Sequence, residues 1–237
     1  MMINVSINDR DFVRDVLTNN KDPLAYNGEK VTLFWSGGVD STYMLFWLLA
    51  HGYEVHTIYC ELENNSFKVK RENWARKKIR EWVTANSPRL NTNWHHREEP
   101  ISRMNIRSDS FRPSLAQAPV WLVNTQFEGG YFSHALPRTY VMAYVNGDDA
   151  LHWIPAFDKI VEGYNMLARE GQEITVLFPL TSMKKTWFYE ALKPIYGLMT
   201  WCEYRVLKKN CICPACIRHR HELSVFEETN EIFYGGE

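Results

Sequence analysis

Seven residues, Ser36-Gly37-Gly38-Val39-Asp40-Ser41-Thr42, separate the β-favouring run Val31-Thr32-Leu33-Phe34-Trp35 from an apolar helical stretch that closes near His51-Gly52. A strand with so little polar alternation is buried on both faces, so the sheet that holds it needs a layer on each side. The two glycines let the backbone turn tightly and aim amide N–H groups and a helix N-terminus at one anion. Ser36, Ser41 and Thr42 add hydroxyl donors. The constellation fits a phosphate. A Gly-Gly turn with an Asp or Ser helix cap would account for any two of these residues, not for all seven. The loop lacks the Gly-Lys-Ser/Thr ending of kinase-like nucleotide loops and the G-x-G-x-x-G of dinucleotide folds.

Around this loop, strand-like and helix-like segments alternate. Phe12, Val13, Val16 and Leu17 share a helical face over residues 9–19, and a strand is predicted over 54–60. A long basic amphipathic helix follows over 66–84, with Phe67, Trp74, Ile79, Trp82 and Val83 as its apolar positions. Residues 85–117, with Pro88, Pro100 and Pro113 together with Arg97, Arg103, Arg107 and Arg112, read as a long irregular loop. Further on, the patterns predict helices over 119–128, 155–169 and 182–192 and strands over 139–145 and 173–178. The alternation predicts an α/β fold: an open, mostly parallel, doubly wound sheet of about five strands.

Twenty-seven Lys and Arg balance twenty-eight Asp and Glu, so no global basic field draws the chain to nucleic acid or anionic lipid. No apolar stretch approaches the length of a membrane span, and the N-terminus carries no basic-then-apolar secretion signal. A cytoplasmic, reducing setting is the expectation. It suits the cysteines, four of which, Cys202, Cys211, Cys213 and Cys216, crowd the C-terminal tail while Cys60 stands apart. Four thiolates from two nearby segments can enclose Zn²⁺ tetrahedrally, leaving no open position, which signifies a structural site. His219 and His221 could substitute as ligands, but they read first as solvated neighbours. A composition shift near residue 198 separates this tail from what precedes it.

The S-G-G-x-D-S loop resembles that of the PP-loop, or ATP-pyrophosphatase, superfamily, whose members adenylate a substrate oxygen. Loop, cysteine tail and the intervening Pro179-Leu180-Thr181-Ser182-Met183-Lys184-Lys185 together resemble the 7-cyano-7-deazaguanine synthases within it. The resemblance implies an ATP-binding domain over 1–198 and a zinc-binding tail over 199–237 packed on it. It also implies that Trp35, Ser36, Gly37, Gly38, Val39, Asp40, Ser41 and Thr42 surround the triphosphate, with Ile58 and Tyr59 near adenine. Asp40 would hold Mg²⁺ or fix the loop, Lys185 would stabilise charge at the phosphates, and Asp148 or Asp149 would accept hydrogen bonds from a guanine-like edge. The implied substrates are a deazapurine carboxylate, ammonia and ATP. The oligomeric state stays open, a homodimer included.

Three departures stand beside the resemblance. The cysteines read C-x-C-x-x-C where the family reads C-x-x-C-x-x-C, and Asn146-Gly147-Asp148-Asp149-Ala150-Leu151-His152-Trp153 replaces the family's Asp-x-Ser-Gly-Tyr-Pro-Asp stretch. Only Val123-Asn124-Thr125 stands as a counterpart of its arginine-asparagine segment. A PP-loop ligase with another acceptor is therefore one alternative. A nucleic-acid-binding module using Lys208, Lys209, Arg218 and Arg220 of the tail is another, opposed by the balanced charge.

Overall fold

A computed structural model describes residues 1–62, 66–104, 122, 136–201, 216, 217 and 219–221. Its centre is β1 (Lys30–Phe34), with Val31, Thr32 and Leu33 fully buried. On one side lies β2 (Glu54–Ile58) and beyond it the edge strand β4 (Trp94–His96); on the other lie β6 (Thr139–Val141) and β7 (Thr175–Leu177). Every neighbouring pair in the order β4-β2-β1-β6-β7 is parallel. A separate parallel pair joins β3 (Cys60–Leu62) to β5 (Ser102–Met104).

Both faces of the sheet are covered, as the apolar run of β1 requires. Val31, Leu33 and Val55 pack with α1 (Asp9–Leu17), α2 (Val39–Ala50) and α5 (Thr186–Leu192) in one core. Ile58, Tyr140, Met142 and Ile174 pack on the opposite side with Phe157 of α4 (Ile154–Leu167). Of α2, only Asp40 escapes burial, which is why the helix is apolar all round rather than along one stripe.

The structure corrects several sequence expectations. The stretch read as irregular over 85–117 contains a 3-10 turn over Pro88–Asn93 and then β4 and β5. The strand predicted over 139–145 leaves the ladder after Val141, and the helix predicted from Ser182 starts at Thr186, after a turn closed by the Met183 amide donating to the Leu180 carbonyl at 2.9 Å. In α3 (Ser66–Asn86), Phe67 is exposed, and Ala75 and Arg76 join Ile79 and Val83 on the buried face. The helix predicted over 119–128 lies outside the described residues except for Leu122, which is helical and buried.

Candidate functional site

In strand terms the sheet order reverses between β1 and β6, the crevice where open parallel sheets bind ligands beyond their C-terminal ends. The glycine loop leaves β1 at that point. Gly37 has φ +78°, and a Cβ there would stand 3.0 Å from the Ala75 Cβ and 3.2 Å from the Arg76 amide nitrogen, so α3 seals the back of the loop. Gly38 has an ordinary φ of −78° and caps α2, whose first bond runs from the Thr42 amide to the Gly38 carbonyl at 3.0 Å. The Trp35 indole donates to the Thr42 hydroxyl at 3.1 Å beneath the loop.

The loop's front is weakly bonded. The Gly38 amide donates to Ser36 Oγ at 3.3 Å, the Ser36 amide to Ser41 Oγ at 3.4 Å, and the two hydroxyls meet at 3.2 Å. These contacts are longer than the 2.9–3.0 Å usual for an amide donor, which marks them as weak. From the tail side, the Thr200 amide donates to the Gly37 carbonyl at 3.1 Å, and Thr200 forms a parallel bridge with Gly38.

Asp40, at the first turn of α2, meets the Lys185 ammonium at 2.7 Å, each side chain less than one-fifth exposed. Lys185 immediately precedes α5, so the pair ties the loop helix to the segment after β7. A cavity of about 220 Å³ opens beside them. It takes Trp35, Ser36, Gly38, Asp40 and Ser41 from the loop side, Ile58, Tyr59 and Cys60 from the end of β2, and Met142, Ala143, Tyr144 and Asp148 from beyond β6. Of the residues singled out in the sequence, Trp35, Ser36, Gly38, Asp40, Ser41, Ile58, Tyr59 and Asp148 line this one cavity. Val39 and Thr42 point into the core, Gly37 faces α3, and Lys185 reaches the site through Asp40.

The Asn-Gly-Asp turn positions Asp148. Gly147 takes φ +92°, and one Asp148 carboxylate oxygen accepts from the Val145 amide at 3.0 Å. Asp149 opens a 3-10 turn over Asp149–Trp153, and its side chain is outside the described residues.

Sequence reasoning missed Glu72. It sits on α3 among lysines and arginines that read as a solvated face, yet it lines the cavity and accepts from the Tyr59 hydroxyl at 2.5 Å. Burial holds its carboxyl above the usual range, with Lys68, Tyr59 and Arg76 opposing that rise. Burial likewise raises the phenols of Tyr59 and Tyr144. The Arg76 guanidinium lies 4.3 Å over the Tyr59 ring and donates to the Arg97 carbonyl at 2.8 Å, fixing Tyr59 against α3. Phe34 and Tyr144 add aromatic faces suited to a flat ring.

Of the cysteine ligands expected in the tail, Cys202, Cys211 and Cys213 lie outside the described residues, and Cys216 is buried. His219 is not the solvated residue that its neighbours suggest. Its ring nitrogens meet the Tyr189 hydroxyl at 3.0 Å and the Tyr196 hydroxyl at 2.5 Å, and Trp201 stacks on it at 3.9 Å. Burial, with the charges of Lys185 and Arg220 adding to it, pushes its pKa down to about 2. Among the described residues, no helix is long and apolar enough to cross a membrane.

No known family profile matches the chain. A stretch of 43 residues is 42% identical to 7-cyano-7-deazaguanine synthase 1 of Desulfitobacterium hafniense (strain Y51), covering 18% of this chain and 20% of that protein. Similar solved structures include a U34-tRNA thiolase from Methanococcus maripaludis with its [4Fe-4S] cluster, at TM-score 0.43 and 14% identity over 92% of this chain and 70% of that one. A predicted tRNA methyltransferase subunit from Methanocaldococcus jannaschii aligns at TM-score 0.34 and 15% identity, over 86% of this chain and 91% of that one. The described residues form a parallel α/β sheet with a glycine-rich loop leaving the end of β1.

Proposed function

We propose that the protein activates a carboxylate with ATP and joins it to nitrogen, the substrate being 7-carboxy-7-deazaguanine, the nitrogen source ammonia and the product the 7-cyano compound. The observation that carries this reading is one cavity edged by weakly bonded loop donors at one end and by aromatic rings and carboxyls at the other. Ser36, Gly38 and Ser41 would hold phosphate oxygens, Ile58 and Tyr59 the adenine, and Asp40 would bind Mg²⁺, with Lys185 offsetting phosphate charge. Mg²⁺ would neutralise the triphosphate and make pyrophosphate a better leaving group.

A carboxylate repels nucleophiles and has no leaving group of its own. In the proposed sequence its oxygen attacks the α-phosphorus of ATP and pyrophosphate departs. Ammonia then adds to the acyl carbon, AMP leaves and a proton is lost, giving an amide. A second nucleotidyl transfer to the amide oxygen, followed by loss of AMP and the remaining N–H protons, leaves the nitrile. The chain's contribution is positioning and charge complementarity. Glu72, Asp148 and Asp149 would face the amino and ring N–H edge of the deazaguanine. In the tail, Cys202, Cys211, Cys213 and Cys216 would hold one structural Zn²⁺, and residues 199–237 would act as a zinc-binding unit on the ATP-binding domain.

The segment Asn146–Trp153, which departs from the synthase pattern, favours a second reading in which a different carboxylate is the acceptor. Pyrophosphate release by the full chain, measured with ATP, ammonia and a panel of carboxylates, tests both. Release stimulated by the deazaguanine acid supports the first reading, and release stimulated only by another acid supports the second. No ATP turnover with any acceptor would overturn both.

A further inference from the structure

At the N-terminal end of β2, the end away from Tyr59 and the cavity, three ligand-type side chains meet on one face of the sheet. Glu54 and His56 are two residues apart on β2 and so point the same way; the register sets His95 of β4 directly beside His56. The His56 Nε2 lies 2.9 Å from Glu54 Oε1 and the His95 Nε2 lies 3.5 Å from the same oxygen. The two imidazoles stack at 4.5 Å, and all three ligand atoms fall within 4.8 Å of one another.

We propose that Glu54, His56 and His95 form a site for one divalent transition-metal ion of the zinc type, with its remaining positions filled by water. Bonds of about 2.0–2.2 Å to imidazole nitrogen and carboxylate oxygen put ligand atoms roughly 2.9 Å apart at right angles and roughly 3.4 Å apart tetrahedrally. Two of the three separations, 2.9 and 3.5 Å, fall near those values, and the third lies within 4.8 Å. Two imidazoles and one carboxylate suit zinc, cobalt or nickel rather than magnesium or calcium, which prefer oxygen throughout.

The surroundings are compatible with a cation. Lys30 pairs with the other Glu54 oxygen at 3.0 Å, leaving Oε1 to the rings, and its side chain is exposed enough to swing away. Burial lowers the basicity of His56, favouring the neutral ring that a metal needs, with Glu54 opposing that shift and His95 and Lys30 adding to it. A bound ion would clamp the edge strand β4, held by only three paired positions, onto β2.

The test uses the full chain stripped with a chelator and titrated with Zn²⁺ alone, in both wild type and the Cys213→Ser variant, which sets the tail cysteines apart. Expected are one more Zn²⁺ per chain in wild type than in His95→Ala, retention of that ion in Cys213→Ser, and shifts of the His56 and His95 ring resonances on saturation. Changes outside the ligand shell alone cost roughly 10–100-fold in affinity, so His95→Ala should weaken this site at least about tenfold. His95 is half-exposed, so the substitution leaves the fold intact. Equal zinc stoichiometry and affinity in wild type and His95→Ala, or ring resonances unmoved by zinc, would overturn the proposal.

Discussion

The two loop glycines differ in what they demand, and that difference separates folding from chemistry. Gly37→Ala forces a side chain into φ +78° and places its Cβ 3.0 Å from the Ala75 Cβ and 3.2 Å from backbone. The left-handed conformation costs about 1–2 kcal/mol for an L residue, and forcing a methyl into packed surroundings costs about 1–3 kcal/mol more. Neither contact is the flexible end of a long side chain, so relief requires α3 to move. For a chain of this size, a loss of about 2–5 kcal/mol lowers Tm by on the order of 10 °C. Gly38→Ala keeps its φ of −78°, and the new Cβ meets only Ser36 Oγ at 3.3 Å and the Thr200 carbonyl at 3.4 Å. Ser36 can rotate, so stability should change by less than about 1 kcal/mol, while the methyl crowds the face proposed to receive phosphate. Differential scanning calorimetry and pyrophosphate release on the two purified variants give the comparison. Equal thermal stabilities, or full turnover in Gly38→Ala, would refute the division of labour argued from the loop.

Lys185→Met should leave the Asp40 carboxylate without its 2.7 Å partner, destabilise the chain by about 1–3 kcal/mol, and reduce ATP turnover by roughly 100-fold or more, read by denaturant melts and phosphate-release kinetics. Since Glu72 has a folded pKa above its unfolded value, its favourable contribution is present at low pH and lost as pH rises through the folded value. Melts of Glu72→Gln across that range should therefore show a flatter decline than wild type; an unchanged slope would mean that the carboxyl is well solvated. His219 works in the opposite sense. With a folded pKa of about 2 the unfolded chain binds the extra proton, so stability falls as pH drops below the usual histidine value, by about 1.4 kcal/mol per unit. His219→Gln should remove that increment, leaving a smaller slope from His96, whose pKa is pushed down to about 3 by burial and by Arg76 and Arg80. Metal analysis should find tail zinc in wild type that is lost in Cys213→Ser, and a tail that stays ordered without metal would count against the cysteine site.

The strand, glycine loop and helix over residues 30–50 were legible because their signals are local. An apolar run needs two covering layers, a glycine pair needs a turn, and an all-apolar helix needs burial wherever it lands. By contrast, β4 is three residues, two of them histidine, with little β-preference, and only its pairing with β2 makes it a strand. Glu72 was hidden for a related reason. Nothing in its neighbourhood along the chain separates it from the charged face of α3; the close approach of Gly37 to Ala75 brings that face under the loop. His219, too, acquires its burial from Tyr189, Tyr196 and Trp201, all from earlier in the chain. The Asn-Gly-Asp-Asp sequence supported both a turn and a ligand contact, and Asp148 closes a turn while lining the cavity.

The bridge from Thr200 to Gly38 has a consequence for how the protein is made. During synthesis β1 and the loop emerge early, but the backbone that flanks the loop on its far side is supplied only after every described strand has been translated. Contacts so distant along the chain form late because closure entropy must be overcome before they contribute. A nascent chain can therefore build much of its core while the glycine turn still lacks this brace. The brace on the loop would then be completed only with the arrival of residue 200, and partly made molecules would have a sheet before they have a braced glycine turn.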